Sequence, residues 1–318
     1  MALIGIVMAA MVVLVASYFV ACGLTGENLV VTWWDQNRLR RMDLDELDAQ
    51  NGANPVNSGL IVSLTTIPSR LPAIADTLRS LLRQTERARE IRLCLPSWSV
   101  RENAAYEVPA WLSRLKSVRI VASQDVGPAT KFLGTLTAVP RDQAVLVLDD
   151  DRIYHPELLA RMARLAEHHP DEIVAGSGWN LPDDLIDRPT TLKRRLAGAP
   201  YVPIKANRIP SPRSVVIVQG VNGYVVRPWF FDLAALGSID RAPDAVRFVD
   251  DVWLSAHARV SRVIYPLPLP YISYLPWAHR RANARSSLGW KVNRDVRDEE
   301  RGNSIALRYF KDRWNSRP

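Results

Sequence analysis

Residues 144–151 read AVLVLDDD, so three carboxylates follow directly on a run of five apolar residues. The run has the pattern of a strand buried on both faces. Adjacent acids repel one another, and a fold that keeps them needs something cationic to offset them. Asp149 and Asp151 are two apart, so in an extended chain their side chains point the same way. Two carboxylates on one side suit a hard, oxygen-preferring ion such as Mg²⁺ or Mn²⁺. Mg²⁺ takes one or two carboxylates and fills its shell with water and substrate phosphate. A nucleotide diphosphate would complete such a shell. The competing reading is an acidic turn neutralised by solvent and nearby arginines.

Three further groups could do chemistry. Gly127-Pro128-Ala129-Thr130-Lys131 is a small-residue turn at a helix start. It either holds an anion through backbone N–H groups and Lys131 or is a plain helix entry. Arg70 is likewise a phosphate or base contact, or a first-turn helix residue. Asp250 and Asp251 could supply a general base for an acceptor hydroxyl, or could be acids that favour a helix N-terminus. His279, in PWAHRR, is a candidate metal or phosphate partner.

The elements that must position these groups alternate. Strands are expected over 60–65, 90–96, 118–123, 144–148, 172–178 and 214–220. Helices are expected over 71–85, 127–136, 155–169 and 248–259, where apolar residues recur at helical spacing or a start signal occurs. Strands alternating with helices predict an α/β fold with a mainly parallel sheet covered by helices. Ligands of such sheets sit beyond the carboxyl ends of the strands, where both the three aspartates and TTIPSR (65–70) lie. Residues 180–213 lack periodicity and are expected to be irregular and to shape an acceptor site.

Residues 2–24 carry no charge and are long enough to cross a ~30 Å hydrocarbon core as a helix. Tyr18, Phe19, Trp33 and Trp34 lie where an interfacial aromatic belt would sit, and Arg38, Arg40 and Arg41 follow. The expectation is a single-pass inner-membrane anchor with the following domain in the cytoplasm; a cleaved or lipidated signal is the alternative. The chain then divides into an anchor (1–24), a juxtamembrane stalk (25–58), a catalytic domain (59–279) and a basic tail (280–318). Of the net charge of +8, the tail supplies 11 Lys/Arg against 5 Asp/Glu, or +6. The tail could lie on anionic lipid or hold an anionic ligand, or be a solvated helix. The two cysteines, Cys22 and Cys94, offer neither a disulfide framework nor metal-ligand spacing.

Missing motifs exclude other chemistry. No G-x-G-x-x-G follows the first strand, and no P-loop, G-x-S-x-G or H-E-x-x-H occurs. Dinucleotide oxidoreductases, P-loop hydrolases, serine esterases and zincins are therefore disfavoured. No nucleic-acid-binding module is recognisable either, so nucleic acid is not an expected partner.

Taken in order, SLTTIPSR, GPATK, the D-x-D in DDD, VQGVNGYVVRP and VDDVWLS resemble a nucleotide-sugar glycosyltransferase of the GT-A fold. The nearest likeness is to family 2 type and exostosin-like enzymes, over residues 60–279. The resemblance implies that Thr65, Thr66 and Arg70 lie by the nucleotide base and ribose, and that Lys131, Asp149 and Asp150 belong to the donor site. Asp151, with Asp149 and the late His279, would hold Mn²⁺ or Mg²⁺. Gly220, Asn222 and Gly223 would line the sugar and acceptor side, and Asp251 or Asp250 would be the catalytic acid-base group. The implied partners are a nucleotide-sugar, most often a UDP-sugar, and a glycan or lipid-linked glycan at the membrane. The acid pair is Asp-Asp where the family has Glu-Asp, and no processive Q-x-x-R-W motif occurs, which implies transfer of a single sugar. Nucleotidyl or phosphoryl transfer, and a catalytically silent membrane-surface binding protein, are the rival readings.

Overall fold

The computed structural model describes residues 2–277 and 296–315. Helix α1 (Ala2–Thr25) is long and apolar enough to cross a membrane, and its candidate span Ile4–Thr25 is not buried in the protein. Gly26 then turns the chain into α2 (Leu29–Leu39), whose N-cap Asn28 accepts a hydrogen bond from Val31 N–H. Helix α3 (Leu44–Ala53) is capped in the same way by Asp43.

The segment expected as a stalk is built into the domain. One face of α2 buries Thr32, Asp35, Gln36 and Leu39. Asp35 makes a two-pronged pair with Arg83 at 2.6 and 2.7 Å and accepts hydrogen bonds from Tyr271 and Tyr274. In α3, Asn51 donates to the Leu82 carbonyl, and Asp48 accepts from the backbone N–H groups of Lys116 and Ser117.

The centre is an eight-stranded sheet: β1 (Ile61–Leu64), β2 (Glu90–Leu95), β3 (Val118–Ala122), β4 (Val145–Val147), β5 (Glu172–Ala175), β6 (Arg213–Ser214), β7 (Tyr224–Val226) and β8 (Ser261–Ile264). The spatial order is β6-β8-β5-β7-β4-β1-β2-β3. β4, β1, β2 and β3 run parallel, as do β8 and β5. β7 is antiparallel to both of its neighbours, and β6 to β8. The central strands are apolar and fully buried, which a sheet covered on both faces demands. Helices α4 (Ala75–Leu82), α5 (Thr130–Leu136), α6 (Leu158–His168) and α7 (Asp250–His257) pack around it.

Four expectations shift. The helix expected over 71–85 begins as a 3-10 turn, Pro68–Ala73, because Pro72 has no N–H for an α-helical bond; the α-helix starts at Ala75. The strand expected over 172–178 breaks at Gly176, and Ser177–Trp179 joins a second sheet between Ile204–Lys205 and Ile217–Val218. Within the region expected to be irregular, Leu192–Leu196 forms a short helix. Helix α8 (Gly302–Tyr309), in the basic tail, is no solvated appendage: Ala306, Leu307 and Phe310 are buried, and Arg301 pairs with Asp187 at 3.0 Å.

Candidate active site

β1 and β4 are parallel neighbours with Ser63 opposite Val147. Three residues further along each chain, Thr66 and Asp150 therefore leave the sheet side by side, and Thr66 Oγ1 donates to Asp150 Oδ2 at 2.5 Å. The acidic turn is pinned through its backbone. Asp149 N–H donates to Tyr154 Oη at 2.9 Å, and Thr77 Oγ1 donates to the Asp150 carbonyl at 2.7 Å. Thr65 Oγ1 is turned to the Cys94 carbonyl at 2.7 Å.

Two cations, the buried Lys131 and the half-buried Arg70, knit the acids together. Arg70, carried on the 3-10 turn, places Nη1 2.9 Å from Asp150 and 3.4 Å from Asp151. Lys131, in the first turn of α5, places Nζ 2.7 Å from Asp149 and 2.8 Å from Asp250. The Lys131–Asp250 contact is a charge contact and not an aligned hydrogen bond, since Asp250 Oδ2 is buried without a hydrogen-bond partner. Asp251 Oδ1 accepts from Gly220 N–H at 3.1 Å. Gly220 is glycine for a steric reason: a Cβ there would lie 2.7 Å from Asp149 Oδ1 and 2.8 Å from Lys131 Nζ.

Thr65, Thr66, Arg70, Lys131, Asp149, Asp150, Asp151, Asp250 and Asp251 thus share one cleft, with Gly220 behind it. Asn222 and Gly223 do not line it. Asn222 is buried and accepts from Ser273 Oγ, and Gly223 packs on Leu148. His279 lies outside the described residues. Sequence reasoning missed four lining residues, Ser99, Arg101, Tyr106 and Asp125. Tyr106 donates to the Thr66 carbonyl at 2.9 Å, and Ser99 sits in the Trp98–Ser99/Ala104–Ala105 hairpin. Two-residue strands leave no periodicity to read.

Charge is unbalanced in this cleft. Six aspartates line it (125, 149, 150, 151, 250 and 251) against three cations (Arg70, Arg101 and Lys131), a formal excess of three negative charges. The consequences show in the titrating groups. Burial, then the neighbouring Asp150 and Asp149, push Asp151 up to about 6. Burial and Asp250 push Asp251 well above the ordinary carboxylate range, and Lys131 pulls it back in part. Burial works against the Lys131 ammonium, but Asp149 and Asp250 outweigh it and hold its pKa well above the usual lysine value. Burial pushes the Tyr106 phenol up to about 12.

Among the described residues, no three His, Cys, Asp or Glu side chains form a ready-made metal cage. The donor set nevertheless fits a hard divalent cation. Such an ion needs only one or two carboxylates, and Asp149 and Asp151 both face a cleft with uncompensated negative charge. An anionic diphosphate entering the same cleft would meet repulsion unless a cation entered with it.

No protein-family model matches the chain, and no curated protein matches it. Among solved structures, the crystal structure of S. aureus TarS 1–349 aligns over 81% of this chain and 71% of that one, at 13% identity and a TM-score of 0.40. A likeness that slight leaves function to the geometry of the cleft.

Proposed function

We propose that the protein is a membrane-anchored, metal-dependent glycosyltransferase of GT-A type that moves one sugar from a nucleotide-sugar, a UDP-sugar in the first instance, to a hydroxyl of a glycan or lipid-linked glycan. The observation that carries this reading is the convergence of Thr66, Arg70, Lys131 and the two acid groups at the carboxyl edge of the parallel strands. Asp149 and Asp151 would hold Mn²⁺ or Mg²⁺. When bound, the ion supplies charge that offsets the leaving diphosphate. Arg70 and Lys131 bridge the acids and add fixed positive charge beside the phosphates. Asp251 takes the proton of the acceptor hydroxyl; burial and the neighbouring Asp250 raise its proton affinity, which Lys131 offsets in part.

Two contacts support a membrane-borne acceptor and a retained anchor. Arg152, next to Asp151, reaches Glu27 just beyond α1 at 3.9 Å. Tyr18 Oη donates to Asn28 Oδ1 at 2.7 Å, so the apolar helix is tied to the fold that follows it. The basic residues after α1 support a domain on the cytoplasmic side of an inner membrane.

The test is turnover by the full chain in detergent with candidate nucleotide-sugars, with and without Mn²⁺. Free nucleoside diphosphate is the expected product; release of pyrophosphate would instead assign nucleotidyl transfer. Calorimetry showing no metal-linked nucleotide binding would assign a silent surface protein. Asp151→Ala should abolish turnover while the protein stays folded, and undiminished activity would remove the metal assignment.

A further inference from the structure

The turn Leu192–Leu196 takes no part in the cleft. Its sequence is LKRRL, and Leu192 and Leu196 are 54% and 81% exposed. Between them, Lys193, Arg194 and Arg195 have no carboxylate partner among the described residues; Arg194 lies over the Tyr201 ring at 6.0 Å. Two bare leucines flanking three cations without a carboxylate partner, of which Arg194 donates to the Pro189 carbonyl at 2.9 Å, are a poor match for bulk water and a good match for the boundary between lipid and water.

The neighbourhood of the turn identifies what covers it. A few residues further along, the chain after Ile204 grips the end of α1. Arg208 donates to the Cys22 carbonyl at 2.6 Å, Lys205 to the Thr25 carbonyl at 2.5 Å, and Asn207 to the Gly26 carbonyl at 3.0 Å. Ala199 N–H donates to the Arg194 carbonyl at 3.1 Å and Val202 N–H to the Ala199 carbonyl at 3.0 Å, so tight turns lead from the Leu192–Leu196 turn to within three residues of Lys205. Gly26 has φ +79°, and a Cβ on it would meet Lys205 Cδ at 2.8 Å, so the junction is closely fitted. From the same junction α2 turns Val30, Trp33 and Trp34 outward, each more than half exposed, with Arg38 over the Trp34 ring at 5.7 Å. Basic groups of residues 205–208 and the outward face of α2, from two distant parts of the chain, therefore flank the point where α1 leaves the domain.

We propose that the Leu192–Leu196 turn and the outer face of α2 dock together on the surface of an anionic bilayer, Leu192, Leu196, Trp33 and Trp34 entering the interfacial layer and Lys193, Arg194, Arg195 and Arg38 meeting lipid phosphates. The proposal rests on the reading of α1 as a span of that bilayer. Its effect is to fix the tilt of the domain against the bilayer, which a single span would leave free.

The full chain, reconstituted in nanodiscs of phosphatidylcholine with or without phosphatidylglycerol, tests this by amide hydrogen exchange. Exchange over 192–199 should be about tenfold or more slower in the anionic discs, and high salt should erase the difference. K193Q/R194Q/R195Q should lose the difference while α4 and α7 keep their protection. Leu196→Asp should lose it with every cation in place. Incorporation of the wild-type chain with equal exchange in both discs would overturn the surface alone. Elution apart from both discs would overturn the span and the surface with it.

Discussion

The Lys131 ammonium stands 2.7 Å from the Asp149 carboxylate, and the same nitrogen is 2.8 Å from Asp250. One buried cation therefore joins the acid group at the end of β4 to the one at the start of α7. Lys131→Met should leave the half-buried Asp149 and the buried Asp250 without their shared cation, at a cost of about 3–5 kcal/mol. Thermal denaturation at pH 7 would show the loss, and Lys131→Arg, which keeps the charge, should recover part of it. Equal losses in Lys131→Met and Lys131→Arg would mean that the destabilisation comes from packing and not from charge.

Asp151 carries the opposite sign. Its folded pKa of about 6 lies above the ordinary aspartate value of 3.8. The metal-free fold therefore prefers Asp151 protonated, and that stabilisation is present below about pH 4 and is lost as pH rises through 6. In chelator at pH 7.5, Asp151→Asn should melt higher than wild type, on the order of 1–3 kcal/mol more stable. At pH 4 the two should coincide. Mn²⁺ should raise the melting temperature of wild type and leave the variant unmoved. A variant that melts lower than wild type at pH 7.5 in chelator would contradict the burial argument.

Asp251→Asn separates base from donor site. If Asp251 accepts the acceptor proton, kcat should fall by about 10²–10⁴ while the donor dissociation constant shifts only a few-fold. Calorimetry with a nucleotide-sugar and Mn²⁺, alongside steady-state turnover, gives both numbers. An unchanged kcat would move the base elsewhere in the cleft.

The cleft was legible in the sequence where the sheet itself builds it. AVLVLDDD and LIVSLTTIPSR are parallel neighbours, and an apolar strand followed by polar residues marks its own carboxyl end. Lys131 and the Asp250–Asp251 pair were legible only as helix-start residues, because nothing in their spacing reveals that one nitrogen reaches both acid groups. Asn222 and Gly223 went astray because proximity to Gly220 in the chain does not survive the turn: Gly220 backs the cleft, and two residues on the side chain already faces Ser273. Helix α2 was hidden by its composition. Its buried face is Thr32, Asp35, Gln36 and Leu39, largely polar, so no apolar stripe announces it.

That polar face yields the last prediction. Asp35 is the one acid that α2 buries, and it faces Arg83, Tyr271 and Tyr274. Burial opposes its ionisation, but Arg83 and the two phenols outweigh burial and hold its pKa below 3.8. Stability from Asp35 is therefore present above about pH 4 and is lost as pH falls through the lowered value. Asp35→Ala should cost about 3–5 kcal/mol at pH 7, because Arg83 stays buried without its partner. The first structural consequence is release of α2 from the domain. Limited trypsin digestion should then cut at Arg38, Arg40 or Arg41 well before the sheet opens. Conversion of both partners, Asp35→Leu with Arg83→Met, should restore much of the lost stability. If the double variant is as unstable as Asp35→Ala, α2 is held by something other than this charge cluster.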